Sequence, residues 1–284
     1  MFIFRLSVLQ GIADGFLSTY TAGMIKLLQQ IARKAGKMAM QGHGALRSGD
    51  VFFKSEADLV TSYDRKLEEY ISGRLQKKFP DIAFLGEESA GDAEENGEWR
   101  RGDVFILDPI DGTTNFVHGL PHFAVSLAYL RDAVSQAGVV YAPALGKMYS
   151  AVRGGGAFVN GKPIRVSSTD SLQASLAVTG FINMRQRIQP DNVETFRRVG
   201  HQVRSVLRLG SAALDLCHIA EGSIDFFWET GLHIWDIAAG VLLVEEAGGI
   251  LTDMHGNDRY MDGSQGILAA APAVHAVALA EVKL

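Results

Sequence analysis

The sequence predicts a layered α/β or α+β sandwich, and three observations lead to this fold class. Predicted strands and helices mix along the chain without the strict strand-helix-strand rhythm of a doubly wound parallel sheet. The chain has 284 residues, of which 47% are hydrophobic, so it is long enough to bury a large core. Short apolar runs separated by Gly, Asn and Pro turns fill its middle part, which is typical of successive strands.

The predicted helices lie between these strands and at both ends of the chain. Helical spacing of apolar residues predicts a helix over 21–41 and a second, amphipathic helix over 64–80. A third, buried helix is predicted within 235–249, where a Gly-Gly pair provides its stop. The polar segment 90–103 is predicted to be an exposed connection.

Charge and cysteine content exclude several classes of protein. The net charge is −5 and no basic stripe is present, so we expect no direct nucleic-acid partner. The single cysteine, Cys217, excludes an internal disulfide and a thiolate zinc site. No run of about 18 uncharged apolar residues occurs, so we predict no membrane span and a cytoplasmic location.

Acidic residues stand where predicted apolar elements meet polar loops. They are Glu87 and Glu88, then Asp108 and Asp111, and finally Asp236 at the head of a buried helix. Carboxylates are seldom buried without a partner, because removing an ion from water costs several kcal/mol. A cation would resolve this cost, and Mg²⁺ favours oxygen ligands of this kind.

Each acidic feature also has an ordinary interpretation. Glu87 and Glu88 alone would more often be part of a solvated loop, and Asp236 alone a first-turn acid facing the helix dipole. Asp108 and Asp111 alone would more often belong to a tight turn. A metal site requires that the three spots meet in space, which spacing alone does not establish.

The residues after Asp111 favour an anion site beside these carboxylates. Gly112, Thr113 and Thr114 could open a helix whose free N–H groups hold a phosphate. Metal carboxylates next to an anion-holding turn suggest hydrolysis of a phosphate ester.

Three motifs resemble the inositol monophosphatase family of Mg²⁺-dependent, lithium-sensitive phosphatases: GEES at 86–89, LDPIDGTTNF at 107–116 and WDIAAG at 235–240. The likeness covers about residue 22 to the end, and the stretches TTNFVHGLPHFAVS and GSAALDL are most similar to the bacterial inositol-1-monophosphatase (SuhB-like) branch. Further stretches follow the family's order: DLVTSYD (58–64), GLPHFAVSLA (119–128), GAFVNGKPI (156–164), LGSAALDLC (209–217) and EEAGGILTD (245–253).

The resemblance implies a role for each matching residue. The metal ligands would be Glu87, Asp108, Asp111, Asp236 and the main-chain carbonyl of Ile110. The phosphate and its metals would be held by Asp111, Gly112 and Thr113. The attacking water would be activated by Asp64 paired with Thr113, with support from Glu88. The substrate-contacting set would also include Gly210, Ser211, Ala212, Glu229 and Asp236, and Lys54 would lie on a mobile flap.

The resemblance further implies a five-layered αβαβα sandwich and a homodimer. Residues 1–21 are expected to be an N-terminal extension, and residues 22–284 a single catalytic domain. Two departures from the family pattern concern the substrate. Tyr63 stands between Thr61 and Asp64, and the segment 179–192 does not identify a substrate.

The expected reaction is in-line hydrolysis of a small phosphorylated polyol, with inositol-1-phosphate as the first choice. One Mg²⁺, helped by Glu87 and Thr113, would lower the pKa of the attacking water. A second, held by Asp108, Asp111 and Asp236, would neutralise the leaving oxygen. Histidinol phosphate, fructose-1,6-bisphosphate and a 3'-nucleotide remain alternative substrates. A regulatory or RNA-associated binding protein on the same scaffold is the alternative from another class.

Overall fold

The computed structural model describes five parts of the chain, 23–45, 51–53, 59–181, 192–262 and 266–283. The predicted extension 1–21 and the predicted flap residue Lys54 lie outside these described residues. The division into an extension and one catalytic domain therefore stays a prediction. No helix within the described ranges is long and apolar enough to cross a membrane.

The described part of the chain contains helices and strands in irregular order, with several strands in succession after the short helix Thr113–Val117. The helices are α1 (23–42), α2 (Ser62–Lys78), α3 (Thr113–Val117), α4 (Val193–Gly200), α5 (Ala212–Ala220), α6 (Ile234–Glu246) and α7 (Pro272–Val282). The strands are β1 (Val51–Phe53), β2 (Leu59–Thr61), β3 (Ala83–Gly86), β4 (Asp103–Asp111), β5 (Ala124–Arg131), β6 (Val134–Ala142), β7 (Lys147–Val152), β8 (Ala157–Val159), β9 (Lys162–Pro163), β10 (Leu176–Thr179), β11 (Ser205–Leu207), β12 (Phe226–Glu229), β13 (Ile250–Thr252) and β14 (Ile267–Ala270). The helices predicted over 21–41, 64–80 and 235–249 correspond to α1, α2 and α6.

The strands form two large sheets and one hairpin. The larger sheet has the order β3-β4-β5-β6-β7-β8-β9, in which only the β3–β4 pair is parallel. The smaller sheet has the order β11-β10-β12-β14-β13, with β10 parallel to both of its neighbours. The strands β1 and β2 pair antiparallel and form the hairpin.

Successive side chains of β4 point to opposite faces of the large sheet, and each face is covered by a layer of helices. Phe105 and Leu107 pack with α1 and α2 on one face of the large sheet. Val104 and Ile106 pack with α5 and α6 on the other face. This alternation follows from the two-residue period of a strand, and both faces are apolar because both are covered.

The smaller sheet is covered on both faces in the same way. Phe227 belongs to the cluster around α5 and α6, whereas Phe226 and Trp228 pack against Val199 of α4 and Val274 of α7. The layers therefore run α1–α2, large sheet, α5–α6, small sheet, α4–α7. This arrangement confirms the predicted five-layered αβαβα sandwich.

The segment between β3 and β4 differs from the prediction. It was expected to be an exposed connection, but Trp99 is 3% exposed and packs in the central core. Two short 3-10 turns, at Gly91–Ala93 and Glu98–Arg100, fold the segment onto the protein. The sequence did not predict this packing, because the segment is polar and a single buried residue, Trp99, produces no periodic pattern of apolar residues.

Candidate metal and phosphate site

Three predicted metal ligands meet between the sheets. Oxygen atoms of Asp108, Asp111 and Asp236 lie within 4.8 Å of one another. Asp108 and Asp111 stand at the end of β4, and Asp236 lies in the first turn of α6. Because α6 packs against the large sheet, its N-terminus brings a carboxylate to the end of a strand more than 120 residues away.

The end of β4 is held in an irregular conformation. The pairing with β5 shifts register between Asp108 and Asp111, where Pro109 has no N–H to donate to a ladder. Asp108 Oδ1 accepts a hydrogen bond of 2.9 Å from the Ile110 N–H. The Thr113 hydroxyl donates to the Ile110 carbonyl oxygen at 3.0 Å. These bonds fix the Asp-Pro-Ile-Asp turn that carries two of the acids.

Gly112 permits this turn to pack closely. Its φ is +89°, a conformation that residues with a side chain rarely adopt. A Cβ at this position would lie 3.0 Å from the His122 carbonyl oxygen and 3.1 Å from that of Gly210. The α3 helix begins directly after this glycine, at Thr113, so its first N–H groups follow Asp111 closely along the chain.

The loop before α5 is bonded to this turn. Asp111 Oδ2 accepts hydrogen bonds from the Ser211 hydroxyl and, at 2.9 Å, from the Ala213 N–H. The Asn115 side-chain amide donates to the carbonyl oxygens of His122 at 2.7 Å and Leu209 at 2.8 Å. The predicted polyol-contacting residues 210–212 are thereby placed beside Asp111.

The segment after β3 reaches the same place from the neighbouring strand. The Glu87 N–H continues the sheet by donating to the Leu107 carbonyl oxygen at 3.0 Å. The Glu88 N–H donates to Glu68 Oε2 of α2 at 2.9 Å. Gly86 leaves room for Glu68, because a Cβ there would overlap its carboxylate. Glu87 does not belong to the three-aspartate group, but its charge raises the pKa of Asp108.

The structure gives Asp64 and Thr113 separate hydrogen-bond partners. Asp64 Oδ2 accepts from the Thr61 N–H at 2.7 Å and from the Thr61 hydroxyl at 2.6 Å, at the start of α2. Thr113 donates to Ile110, so no hydrogen bond joins it to Asp64 within the described ranges. The pKa of Asp64 is raised to about 7, mainly by burial and to a smaller extent by the charges of Glu87 and Glu88.

Glu229 lies at the end of β12, with 7% of its surface exposed. Its carboxylate packs against Gly180, where a Cβ would overlap it. Burial raises the Glu229 pKa well above its ordinary value, and the charges of Asp215, Asp236 and Asp111 add to that effect. The predicted substrate residue is therefore close to the acidic cluster.

The electrostatics of the cluster favour a bound cation. Burial is the main cause that raises the pKa of Asp111 to about 7 and that of Asp236 to about 8. Burial also raises the pKa of Asp108, and its acidic neighbours add to the shift. A divalent cation would stabilise the ionised forms of all three. The donors are carboxylate oxygens, which are ligands that Mg²⁺ favours. Zinc sites in proteins typically use nitrogen and sulfur ligands.

Two further contacts were not predicted from the sequence. His122 Nε2 lies 3.7 Å from Asp215 Oδ1, and both atoms are buried without a hydrogen-bond partner among the described residues. Glu94 accepts hydrogen bonds from the Ile234 N–H and contacts His233 at the start of α6. The contact of Asp215 with His122 could have been suspected from the sequence, because Asp215 is an acid within the apolar stretch 212–220. Nothing local distinguished Glu94 from its acidic neighbours.

Comparisons with known proteins identify the family of this chain. The sequence matches the Inositol monophosphatase family over residues 21–283. It is 39% identical over 262 residues to an inositol-1-monophosphatase of Mesorhizobium japonicum, covering 92% of this chain and 97% of that protein. It is 37% identical over 252 residues to the Nus factor SuhB of Pasteurella multocida, covering 88% and 92% of the two chains.

Solved structures show the same relationship. The extragenic suppressor protein suhB of Bartonella henselae superposes with a TM-score of 0.81 at 34% identity, covering 92% of this chain and 98% of the other. The inositol monophosphatase of Anabaena (Nostoc) sp. PCC 7120 gives a TM-score of 0.81 at 33% identity, covering 93% and 96%. Family match, sequence identity and fold agree over the same length of chain, and the protein belongs to the inositol monophosphatase family.

Proposed function

We propose that the protein is a Mg²⁺-dependent phosphate monoester hydrolase that converts inositol-1-phosphate to inositol and phosphate. The observation that carries the proposal is the convergence of Asp108, Asp111 and Asp236 beside the turn at Gly112. Membership of the inositol monophosphatase family supports a phosphatase.

The proposed metal ligands are the three aspartates together with Glu87 and the Ile110 carbonyl. Bound Mg²⁺ would supply positive charge to the phosphoryl oxygens and lower the pKa of a nearby water. The chain itself would orient the ester, since Gly112 and Thr113 stand next to Asp111 at the start of α3.

Asp64 and Thr113 are the proposed residues for water activation, with Glu88 in support. Asp64 is suited to hold a proton near neutral pH, because burial raises its pKa to about 7. The Thr113 hydroxyl is oriented by its bond to Ile110. The Glu88 segment is held against α2 through Glu68.

The proposed polyol contacts are Glu229 and the loop of Gly210, Ser211 and Ala212, with Asp236 at the border between metal and substrate. Glu229 offers carboxylate oxygens that can accept hydrogen bonds from sugar hydroxyls. Ser211 and Ala212 lie beside Asp111, where the alcohol portion of the ester would leave.

A phosphate-release screen tests the substrate. The panel contains inositol-1-phosphate, glycerol-2-phosphate, histidinol phosphate, fructose-1,6-bisphosphate and adenosine 3',5'-bisphosphate, each with Mg²⁺ and with or without lithium. We expect the fastest release from inositol-1-phosphate and inhibition by lithium. A strong preference for another ester would move the assignment to that substrate.

A second candidate function is regulatory, because several relatives bear the name Nus factor SuhB, including the one from Pasteurella multocida. A pull-down at physiological salt, with wild type and Asp111→Asn, tests it. A specific partner retained by both proteins would favour a binding role that is independent of hydrolysis. The homodimer and the cytoplasmic location stay predictions from the sequence.

A further inference from the structure

Glu94 connects two parts of the chain that carry predicted metal ligands. Its Oε2 lies 2.7 Å from His233 Nδ1, and its Oε1 accepts a 2.7 Å hydrogen bond from the Ile234 N–H. The Glu94 side chain is 19% exposed and the His233 side chain is 50% exposed, so water reaches the contact from the histidine side. A single carboxylate thus spans about 140 residues of sequence with both of its oxygens.

The partners of Glu94 form the start of α6. Ile234 is the first residue of that helix, and its N–H is one of the groups that a helix leaves without an internal partner. An anion at this end is also favoured by the helix dipole. The His233 N–H in turn donates to Asp236 Oδ2 at 2.8 Å, so the residue held by Glu94 also holds Asp236.

The orientation of His233 is fixed from two sides. Its ring stacks on Trp235 with 4.7 Å between the ring centroids and 12° between the planes, while Glu94 bonds the ring edge. The N–H that bonds Asp236 belongs to the main chain of this same residue, so a shift of the His233 backbone would move that N–H and the carboxylate it bonds. Glu94 therefore bears on Asp236 through the position of the His233 and Ile234 backbone.

The segment that carries Glu94 is also held in place. Glu94 follows Glu87 by seven residues, directly after the 3-10 turn Gly91–Ala93. Ala90 and Ala93 of this segment pack in the core around α5 and α6. Glu94 therefore stands on an anchored segment that continues from Glu87, and not on a free loop.

We propose that Glu94 is a positioning residue of the metal centre, which aligns the start of α6 with the Glu87 segment so that Asp236 meets the other acids. The inference rests on the metal site of the proposed function. It assigns Glu94 no contact with substrate or metal. Its effect passes through His233 and Ile234.

Calorimetric titration of the metal-free protein with Mg²⁺ tests this role without any substrate. The variants are Glu94→Ala, which removes both contacts, and Glu94→Gln, which keeps one acceptor oxygen for Ile234. The matched control is Glu95→Ala, which removes the same charge from an exposed neighbour. Loss of groups that orient metal ligands commonly weakens metal binding about 10–100-fold.

We expect Glu94→Ala to bind Mg²⁺ about tenfold more weakly, Glu94→Gln to fall between it and wild type, and Glu95→Ala to match wild type. All titrations are run well below the thermal midpoint, so a merely structural loss would not change the affinity. Equal affinity of Glu94→Ala and wild type would overturn the positioning role alone, as would equal weakening by Glu95→Ala. Absence of Mg²⁺ binding by wild type would overturn both this inference and the proposed metal site.

Discussion

The Asp111 carboxylate and the Ser211 hydroxyl form a direct hydrogen bond between the last residue of β4 and the residue before α5. Both side chains are buried, with 7% and 3% of their surfaces exposed. The bond joins a predicted metal ligand to the loop predicted to contact the polyol. The orientation of Asp111 therefore depends on the position of that loop.

Replacement of Ser211 by alanine should therefore weaken metal use. The hydroxyl donates to Asp111 and also accepts from the Leu214 N–H at 3.4 Å as the N-cap of α5. We expect Ser211→Ala to raise the Mg²⁺ concentration for half-maximal activity about tenfold. It should lower the free energy of unfolding by about 1 kcal/mol.

The control for this change is Ser211→Thr, which keeps the hydroxyl. Magnesium titrations of phosphate release and urea unfolding measure the two effects. An unchanged magnesium requirement in Ser211→Ala would show that the hydroxyl does not orient Asp111.

Replacement of Gly86 should disturb the Glu88 segment. A Cβ at Gly86 would overlap the Glu68 carboxylate, which accepts the hydrogen bond from the Glu88 N–H. Overpacking of this kind costs about 1–3 kcal/mol, and we expect Gly86→Ala to lose both stability and activity. Gly73→Ala is the matched control, because a Cβ at this exposed position in α2 meets nothing within 4 Å.

Gly73→Ala should leave activity unchanged and stabilise the protein by up to about 1 kcal/mol, since alanine favours a helix. Thermal unfolding and phosphate release compare the two variants. Equal behaviour of the two alanine variants would contradict the role given to Gly86.

The pH dependence of the free energy of unfolding should show the raised pKa of Asp215. Burial raises the pKa of this carboxyl to about 8, while His218 and Arg208 lower it. Because the folded pKa lies above the ordinary 3.8, the protonated form stabilises the fold. That contribution is complete below the ordinary pKa and is lost as the pH rises through about 8.

Between pH 6 and 9, the thermal midpoint of wild type should fall by roughly 5 °C more than that of Asp215→Asn. The exposed Asp81→Asn serves as the control and should follow wild type. Differential scanning calorimetry in the absence of metal provides the measurement. Parallel pH curves for wild type and Asp215→Asn would show that Asp215 titrates normally.

Much of the fold could be predicted because its signals are local. The helical spacing in α2 and the apolar run before Asp108 require no knowledge of their neighbours. The layer order required the family resemblance, since periodicity does not state which faces meet. The core clusters then confirmed it, with Phe105 on one face of the sheet and Ile106 on the other.

The candidate site was predictable where an acid stands at the end or at the start of an apolar element, as for Asp108 and Asp236. Glu94 was not, because its partners lie about 140 residues away and its segment has no periodic pattern. The contact between His122 and Asp215 was hidden for a similar reason. Asp215 lies within an apolar helix, and only the tertiary fold brings His122 to it.

The most direct test of the central claim is Mg²⁺-dependent release of inorganic phosphate from inositol-1-phosphate by wild type and Asp111→Asn. The variant removes one carboxylate charge while keeping the size of the side chain, so circular dichroism should show an unchanged fold. We expect wild type to release phosphate in the presence of Mg²⁺, and this release to stop when EDTA is added. The rate of Asp111→Asn should be lower than that of wild type by more than about a hundredfold. Full activity of folded Asp111→Asn, or release by wild type that is unaffected by EDTA, would contradict a metal centre built on Asp111.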